Sequence, residues 1–230
     1  MHHLNPPASR RPEPLRRLDR YALMATLARK TRTARLSFGK KRHIGHIRAW
    51  PRAGGISFRV DGGVASGMGL PDENATVELR FRMRGLSFRC EGRVRKVDRE
   101  QGRLMVKPDC IEWCASRVHI EGQGMLPLSA MVRITGPDRK HHEAQVIAIS
   151  DSELRFVCWP CPNKLDKPLD LSARLRVPGL GQADLTLRVH SAAPVFPGSH
   201  GRIMTAELLE GDSAVRQILR QLAGDARSAA

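Results

Sequence analysis

Long hydrophobic runs are missing from this chain of 230 residues. No segment approaches the ~18 consecutive apolar residues that a transmembrane helix needs. The opening segment, MHHLNPPASRRPEPLRRLDR, has no apolar core between its charges, so it does not match a secretory signal. We therefore expect a cytoplasmic protein without a membrane-spanning helix.

Sequence motifs of catalysis are missing as well. The chain contains no G-x-S-x-G elbow, Walker-A loop, H-E-x-x-H pair or G-x-G-x-x-G fingerprint. No paired acid and base can be recognised along the sequence either. We therefore expect a binding protein without enzymatic activity.

Aromatic residues are few: six phenylalanines, three tryptophans and one tyrosine. Proteins that bind single strands without sequence preference stack the bases on aromatic side chains. Phe38, Phe58, Phe81 and Phe88 fall on faces that we predict to be buried. This scarcity argues against an RNA-binding protein of the stacking type.

The five cysteines are an odd number and come without a secretion signal, so a disulfide framework is not expected. Cys110 and Cys114 together with Cys158 and Cys161 offer four thiolates, the ligand set of a structural zinc site. The spacing of the first pair suits a helical turn better than a zinc knuckle, and cysteines are often buried in small cores. We favour buried thiols and expect no metal.

Acidic residues are scarce in the first half of the chain. Residues 1–120 hold 26 basic and 11 acidic residues (26 − 11 = +15), whereas residues 121–230 hold 13 and 12 (+1). Arg80, Arg82, Arg89 and Arg93 alternate outward on two adjacent predicted strands. This basic face is a candidate surface for a protein partner or for nucleic-acid phosphates, and a nucleic-acid-binding regulator is the alternative function. A charge excess that serves only solubility also stays open.

Period-two alternation of apolar residues dominates the chain and predicts antiparallel strands separated by turns. The predicted strands are Ala34–Phe38, Ile56–Val60, Val77–Met83, Leu86–Cys90, Leu104–Val106, Met131–Ile134, Ala144–Ile149, Leu154–Cys158, Leu169–Val177, Leu185–Val189 and Ile203–Leu208. Short strands at this spacing favour barrels over a parallel sheet. The fold class is therefore mainly β, with two small antiparallel β-barrels and a short helix near each end of the chain.

The helices and the domain boundaries follow from the same patterns. Leu15, Leu18, Ala22, Leu23 and Leu27 recur at three- and four-residue spacing and predict an amphipathic helix. A second helix is predicted behind Asp212-Ser213. The predicted order is a disordered basic tail (1–14), a first barrel (15–116), a second barrel with its C-terminal helix (117–224) and a tail (225–230), with a linker in the stretch after Pro108.

The second half resembles a PilZ domain. The stretch HHEAQVIAISDSELRF resembles the PilZ strand pair around its D/N-x-S-x-x-G turn, and LDLSARLRVPGLGQADLTLRV resembles the hairpin that follows. The segment IMTAELLEGDSAVRQILRQL resembles the closing strand and helix. The first half, through FRCEGRV and LMVKPDCIEWCASR, resembles the split barrel that precedes PilZ in flagellar brake proteins of the YcgR type.

The resemblance implies a site for cyclic di-GMP, because in that family two linker arginines in the pattern R-x-x-x-R clamp the nucleotide against the turn. Guanidinium groups suit that task since they bind phosphate in a bidentate manner and stack on purines. Here the implied nucleotide-binding residues are Arg117 and Ser150, with Arg155 as a substitute arginine.

The sequence departs from the family pattern at three positions. Glu121 stands where the second arginine is expected, Ala148 replaces the Asp or Asn, and Glu153 replaces the glycine. A carboxylate repels phosphate, and only glycine combines close approach with positive φ at no cost. The resemblance therefore implies a cyclic di-GMP signalling effector with weakened or lost nucleotide binding. It also implies a protein partner in motility or exopolysaccharide machinery.

Overall fold

The computed structural model describes residues 13–62, 69–114, 118–120, 124–126, 130–136, 139–150, 152–159, 161, 169–178, 181–211 and 218. The chain forms two compact units. The described part of the first unit is residues 13–62 and 69–114 together with Phe196–Ser199, and the second unit holds the other described residues. Within the described ranges, no helix is both long and apolar enough to cross a membrane.

The elements are mostly strands. The helical segments whose two ends lie among the described residues are α1 (Arg17–Arg29) and a 3-10 turn (Pro51–Ala53). The strands of the first unit are β1 (Glu13–Pro14), β2 (Arg32–Phe38), β3 (Lys41–Trp50), β4 (Gly55–Val60), β5 (Thr76–Met83), β6 (Leu86–Asp98) and β7 (Arg103–Cys114). Those of the second unit are β8 (Val118–Ile120), β9 (Gly124–Leu126), β10 (Met131–Thr135), β11 (His141–Ile149), β12 (Glu153–Cys158), β13 (Leu169–Val177), β14 (Gly181–Pro194) and β15 (Arg202–Gly211).

The first unit is a closed antiparallel barrel. Its strands follow the order β7-β4-β3-β2-β5-β6, and β6 pairs with β7 to close the ring. The predicted inward positions Leu36, Phe58, Leu79 and Phe88 are each at most 1 % exposed, whereas Phe38, at the end of β2, was predicted to be buried and is only partly so. Burying such side chains contributes roughly 1.5–3 kcal/mol each, so the alternation that predicted the strands also forms the core.

The second unit is also a closed antiparallel barrel, with the strand order β10-β13-β14-β15-β12-β11 and closure between β10 and β11. Val132, Phe156, Leu187 and Met204 are fully buried in its core. The strand β8 pairs in parallel with the end of β11 and antiparallel with β9, and its residues Val118 and Ile120 are buried in the same core. The predicted fold class of two small antiparallel barrels is confirmed.

The set of residues predicted to form the buried face of α1 is wrong at its N-terminal end. Leu15 is buried but precedes the helix, so its three-residue spacing to Leu18 is not a helical spacing. Leu18 is therefore 66 % exposed, and Asp19 is buried in its place. Leu23 and Leu27 follow Asp19 at four-residue intervals and are fully buried, so the face itself is helical.

Three segments of the first unit are strands although the sequence did not predict them as such: β3, Glu13–Pro14 and the part of β7 after Pro108. Glu13–Pro14 falls in the predicted tail but pairs with β7 opposite Trp113 and Glu112. The strand β7 continues through Cys114, so the stretch after Pro108 is not a linker until that point. Pro108 is tolerated because it faces Gly92 at a register shift, where the lack of an N–H costs little.

The predicted C-terminal helix lies outside the described residues except for Ile218, which is helical and buried. The remaining strand predictions of the second half agree with β10 to β15, and the observed strands extend beyond most of them.

Candidate functional site

The turn between β11 and β12 contains the serine of the PilZ-like signature. The Ser150 Oγ accepts a hydrogen bond from the Glu153 backbone N–H at 2.8 Å and a weaker one from Ser152 N–H at 3.4 Å. The Ser150 N–H also donates to the Glu153 carbonyl at 2.8 Å. The hydroxyl therefore closes the turn, as serine commonly does.

Glu153 occupies the position of the family glycine. Its carboxylate is 48 % exposed and lies 3.3 Å from Nε2 of His190. Arg155, the substitute arginine, is exposed on β12 opposite Ala148 of β11 and Thr205 of β15. The structure thus places Ala148, Ser150, Glu153 and Arg155 on one hairpin.

The linker side of the site is described only in part, because Arg117 and Glu121 lie outside the described residues. The strand β8, which stands between them in sequence, pairs in parallel with the end of β11: His119 faces Ala148 and Ile120 faces Ile149. A segment that the sequence places next to Arg117 therefore reaches the start of the Ser150 turn.

The chemistry available at this turn is binding chemistry. Arg155 offers a guanidinium to an anion, whereas Glu153 places a negative charge beside it.

The predicted basic face lies on β5 and β6, as expected, but carboxylates lie among its arginines. Glu78 binds two of them: Arg80 Nε and Arg89 Nε donate to its two oxygens, each at 2.5 Å. Arg89 also donates to Glu91, and to Glu112 at 3.3 Å. These residues form a network in which Arg89 is largely neutralised.

The remaining two arginines of the face form weaker ion pairs or none with the described carboxylates. Arg93 lies 3.9 Å from Asp109, at the limit of an ion pair, and both side chains are more than half exposed. Arg82 is exposed and pairs with no described carboxylate. Positive charge available to a partner on this face therefore lies at Arg82 and Arg93 rather than at the centre of the face.

The network also changes the titration of its central carboxyl. Burial by itself would raise the pKa of Glu78, but the hydrogen bonds and charges of Arg80 and Arg89 outweigh it and hold that pKa below its ordinary value. The hydrogen bond from Arg89 to Glu78 likewise raises the pKa of Arg89. The pairing is thus fully ionised at neutral pH.

The thiols are divided between the two units. Cys110 belongs to the first unit, and Cys158 and Cys161 belong to the second. A hydrogen bond with Cys161, together with burial, raises the pKa of the Cys158 thiol, and burial raises that of Cys90 to about 12. No group of three or more metal-ligating side chains occurs among the described residues, which do not include the Cys114 side chain.

A further pair of arginines was not selected from the sequence. Arg59 of β4 lies directly opposite Arg103 of β7, and His46 of β3 lies directly opposite Arg59. Each follows the ordinary alternation of its own strand, so no local motif marks them. Only the register of the three strands brings them together.

Comparison with known proteins gives distant likenesses. No family model matches the chain, and no curated protein matches it. The chain is similar to the apo structure of K. pneumonia MrkH, at 14% identity and a TM-score of 0.40, over 92% of this chain and 96% of that one.

Two further solved structures are similar. YcgR from Escherichia coli, in complex with c-di-GMP, has 11% identity and a TM-score of 0.37, over 91% of this chain and 90% of its own. The Bacillus subtilis inhibitor of motility MotI/DgrA has 15% identity and a TM-score of 0.34, over 83% and 93%. Likenesses this distant assign neither a family nor a ligand to the chain.

Proposed function

We propose that the chain is a regulatory binding protein of the PilZ-like, two-barrel type, in which the β11–β12 turn is a degenerate site for cyclic di-GMP. The PilZ resemblance implies two barrels that follow each other in sequence. The chain forms two closed six-stranded barrels in that order. The observation that carries the proposal is the parallel pairing of β8 with β11. It brings the segment that follows Arg117 in sequence next to the Ser150 turn.

The weakening of nucleotide binding has two physical reasons. The Glu153 carboxylate stands at the turn, where it opposes an approaching phosphate and offers that phosphate no donor. Ala148 has neither a carboxylate nor an amide with which to bind a guanine edge. Arg155 supplies one guanidinium on the same hairpin, which compensates only in part.

The proposed output of the protein is the engagement of a protein partner, in motility or exopolysaccharide machinery. The partner surface is the exposed part of the basic face, at Arg82 and Arg93. The charge network around Arg89 borders it and gives a surface of both signs, which favours a protein over a polyanion.

Isothermal titration with cyclic di-GMP tests the nucleotide part. We expect the wild type to bind no tighter than about ten micromolar, or about −7 kcal/mol, and the double variant Ala148→Asn/Glu153→Gly to bind at least tenfold tighter. Arg155→Ala weakens the double variant, whereas Arg176→Ala, an exposed arginine of β13 in the same barrel, is the matched control and leaves it unchanged. Sub-micromolar binding by the wild type contradicts the weakening, and an absence of binding by the double variant contradicts the site.

A nucleic-acid-binding regulator is the alternative function, and the carboxylates of the basic face count against it. Glu78, Glu91 and Glu112 neutralise the centre of the surface that would contact phosphates. A gel-shift series with duplex DNA in rising salt separates the two functions. A salt-sensitive shift that Arg82→Gln/Arg93→Gln abolishes favours the alternative, and unaltered DNA mobility at low salt removes it.

A further inference from the structure

A cavity opens on the outer surface of the first barrel, away from the β11–β12 hairpin in sequence. It encloses about 550 Å³ and is lined by β3, β4, β7 and the turn before β7. The lining residues that matter for its chemistry are His46, Arg48, Ser57, Arg59, Glu100 and Arg103. Small-molecule sites in proteins have volumes of roughly 300–1,000 Å³, so the cavity has the size of a ligand site.

The register of the strands puts like charges side by side in this cavity. Arg59 is the direct neighbour of Arg103 on one side and of His46 on the other. Directly opposed side chains on adjacent strands have Cβ atoms about 5 Å apart, and like charges at that distance destabilise a sheet. Arg59 is exposed and forms no ion pair with any described residue. The fold therefore tolerates a repulsion that a bound anion would relieve.

Arg103 is held in place by its surroundings. Its Nε donates to the Ser57 Oγ at 2.7 Å, and Ser57 is only 6 % exposed. Its guanidinium carbon lies 5.7 Å from the centre of the Trp50 ring, in cation–π contact. These contacts fix the guanidinium while its terminal nitrogens bind no described residue. An arginine held in this way loses little side-chain entropy when it binds a ligand.

Arg48 is anchored similarly, since its Nε donates to the Ala28 carbonyl at the end of α1 at 3.1 Å. Within the lining, Glu100 is the single carboxylate against three guanidinium groups. Two further carboxylates lie beside the lining: Asp61 binds His46 at 3.2 Å, and Asp98 of β6 lies directly opposite Arg103 in the strand register. The lining therefore carries a net positive charge of two (3 − 1) before any charge on His46.

We propose that this cavity is a binding site for a small ligand that bears a phosphate or diphosphate group. Guanidinium groups bind phosphate oxygens through two parallel hydrogen bonds, and three of them converge here from β3, β4 and β7. None of the lining residues of this site belongs to the second barrel.

Calorimetric titration of the full chain with pyrophosphate and with ATP tests the proposal. Tryptophan fluorescence gives a second readout, because the Trp50 ring is 46 % exposed beside Arg103. The chain has two further tryptophans, so the part of the change that Trp50→Phe removes is the part assigned to Trp50. We expect saturable binding that weakens as salt rises. Arg59→Gln and Arg103→Gln each reduce the affinity at least tenfold, and Arg176→Gln, which removes an exposed arginine of β13 that does not line the cavity, changes it less than twofold. Equal affinities for the two probes indicate that the site recognises phosphate alone, and tighter binding of ATP indicates a contact with the nucleoside; both support the site.

A stability measurement shows whether a variant that loses binding is still folded. Arg59→Gln relieves the repulsion with Arg103, so its urea midpoint stays at or above that of the wild type while pyrophosphate binding falls. Three results overturn the proposal: no saturable binding of either probe at low salt, an equal loss in Arg176→Gln, or binding of duplex DNA with neither small probe bound.

Discussion

Ser150 and the backbone of Glu153 bind each other in both directions across the β11–β12 turn. The Ser150 N–H donates to the Glu153 carbonyl, and the Ser150 Oγ accepts from the Glu153 N–H, both at 2.8 Å. A residue that the PilZ resemblance assigns to a ligand is thus already used by the fold. The turn needs its serine whether or not a nucleotide binds.

Ser150→Ala is therefore expected to lower the free energy of unfolding by about 1 kcal/mol, the net value of a typical hydrogen bond. Ser150→Thr keeps the hydroxyl and is expected to restore most of that loss. Urea unfolding followed by circular dichroism measures both. Ser172→Ala, at an exposed position of β13, is the control and should stay within about 0.5 kcal/mol of the wild type. A Ser150→Ala variant as stable as this control would contradict the structural role.

The Glu78 network predicts a pH-dependent stability. Glu78→Gln removes the charge that binds Arg80 and Arg89, and we expect a loss of about 1 kcal/mol near pH 7, at the upper end for exposed ion pairs because two arginines share one carboxylate. The folded state lowers the pKa of Glu78, so its contribution is fully present above the ordinary value of 4.5 and is lost as pH falls through the folded pKa.

The measurement is a series of urea denaturations from neutral to acidic pH, in which the difference between wild type and Glu78→Gln should shrink below about pH 4.5. Glu73→Gln is the matched control, because Glu73 is exposed and forms no ion pair with a described residue. A difference that stays constant down to the lowest pH would show that the charge of Glu78 does not contribute.

Alternation was enough to predict most strands and the two-barrel fold, but it failed at β3. That strand, KRHIGHIRAW, faces the core through Gly45, Ile47 and Ala49, and only one of these is a large apolar residue. Its outward positions include Ile44 and Trp50, which are exposed. The contrast between the two faces is therefore too weak to indicate a strand, although the register with β2 and β4 is regular.

The basic face could be predicted from the sequence, whereas the cavity of the first barrel could not. The basic face follows from alternation within β5 and β6, so Arg80, Arg82 and Arg89 could be selected in advance. The cavity on β3, β4 and β7 depends on which residues of three strands are paired, and Arg59 and Arg103 are 44 positions apart in the chain (103 − 59). A single sequence carries no information on such a register, least of all when one of the strands is not recognised.

Gly45 provides a test of how β3 packs. A Cβ atom at this position would lie 2.1 Å from the carbonyl oxygen of Arg59 on β4, so any side chain must force the strands apart. We expect Gly45→Ala to destabilise the protein by about 3 kcal/mol, in the range of severe overpacking. Gly39→Ala is the control: a Cβ there meets open space, so it costs only the left-handed backbone, about 1 kcal/mol. Thermal or urea unfolding that ranks the two variants in the opposite order would contradict the register of β3 and β4.

The thiol environments predict an order of chemical reactivity. Thiolates are the species that react with iodoacetamide, so a raised pKa and burial both slow the reaction. Cys90 is fully buried with its pKa raised to about 12, and Cys158 is buried and hydrogen-bonded to Cys161, whereas Cys110 and Cys161 are partly exposed. In the native protein near neutral pH we expect Cys110 and Cys161 to be alkylated first, and Cys90 and Cys158 to react only as fast as the barrels open.

Peptide mass spectrometry over a time course measures the order, and alkylation in urea, where the four thiols should react alike, is the control. Modification of Cys90 at the rate of Cys161 in the folded protein would mean that the first barrel does not enclose Cys90 as its strand pairing requires.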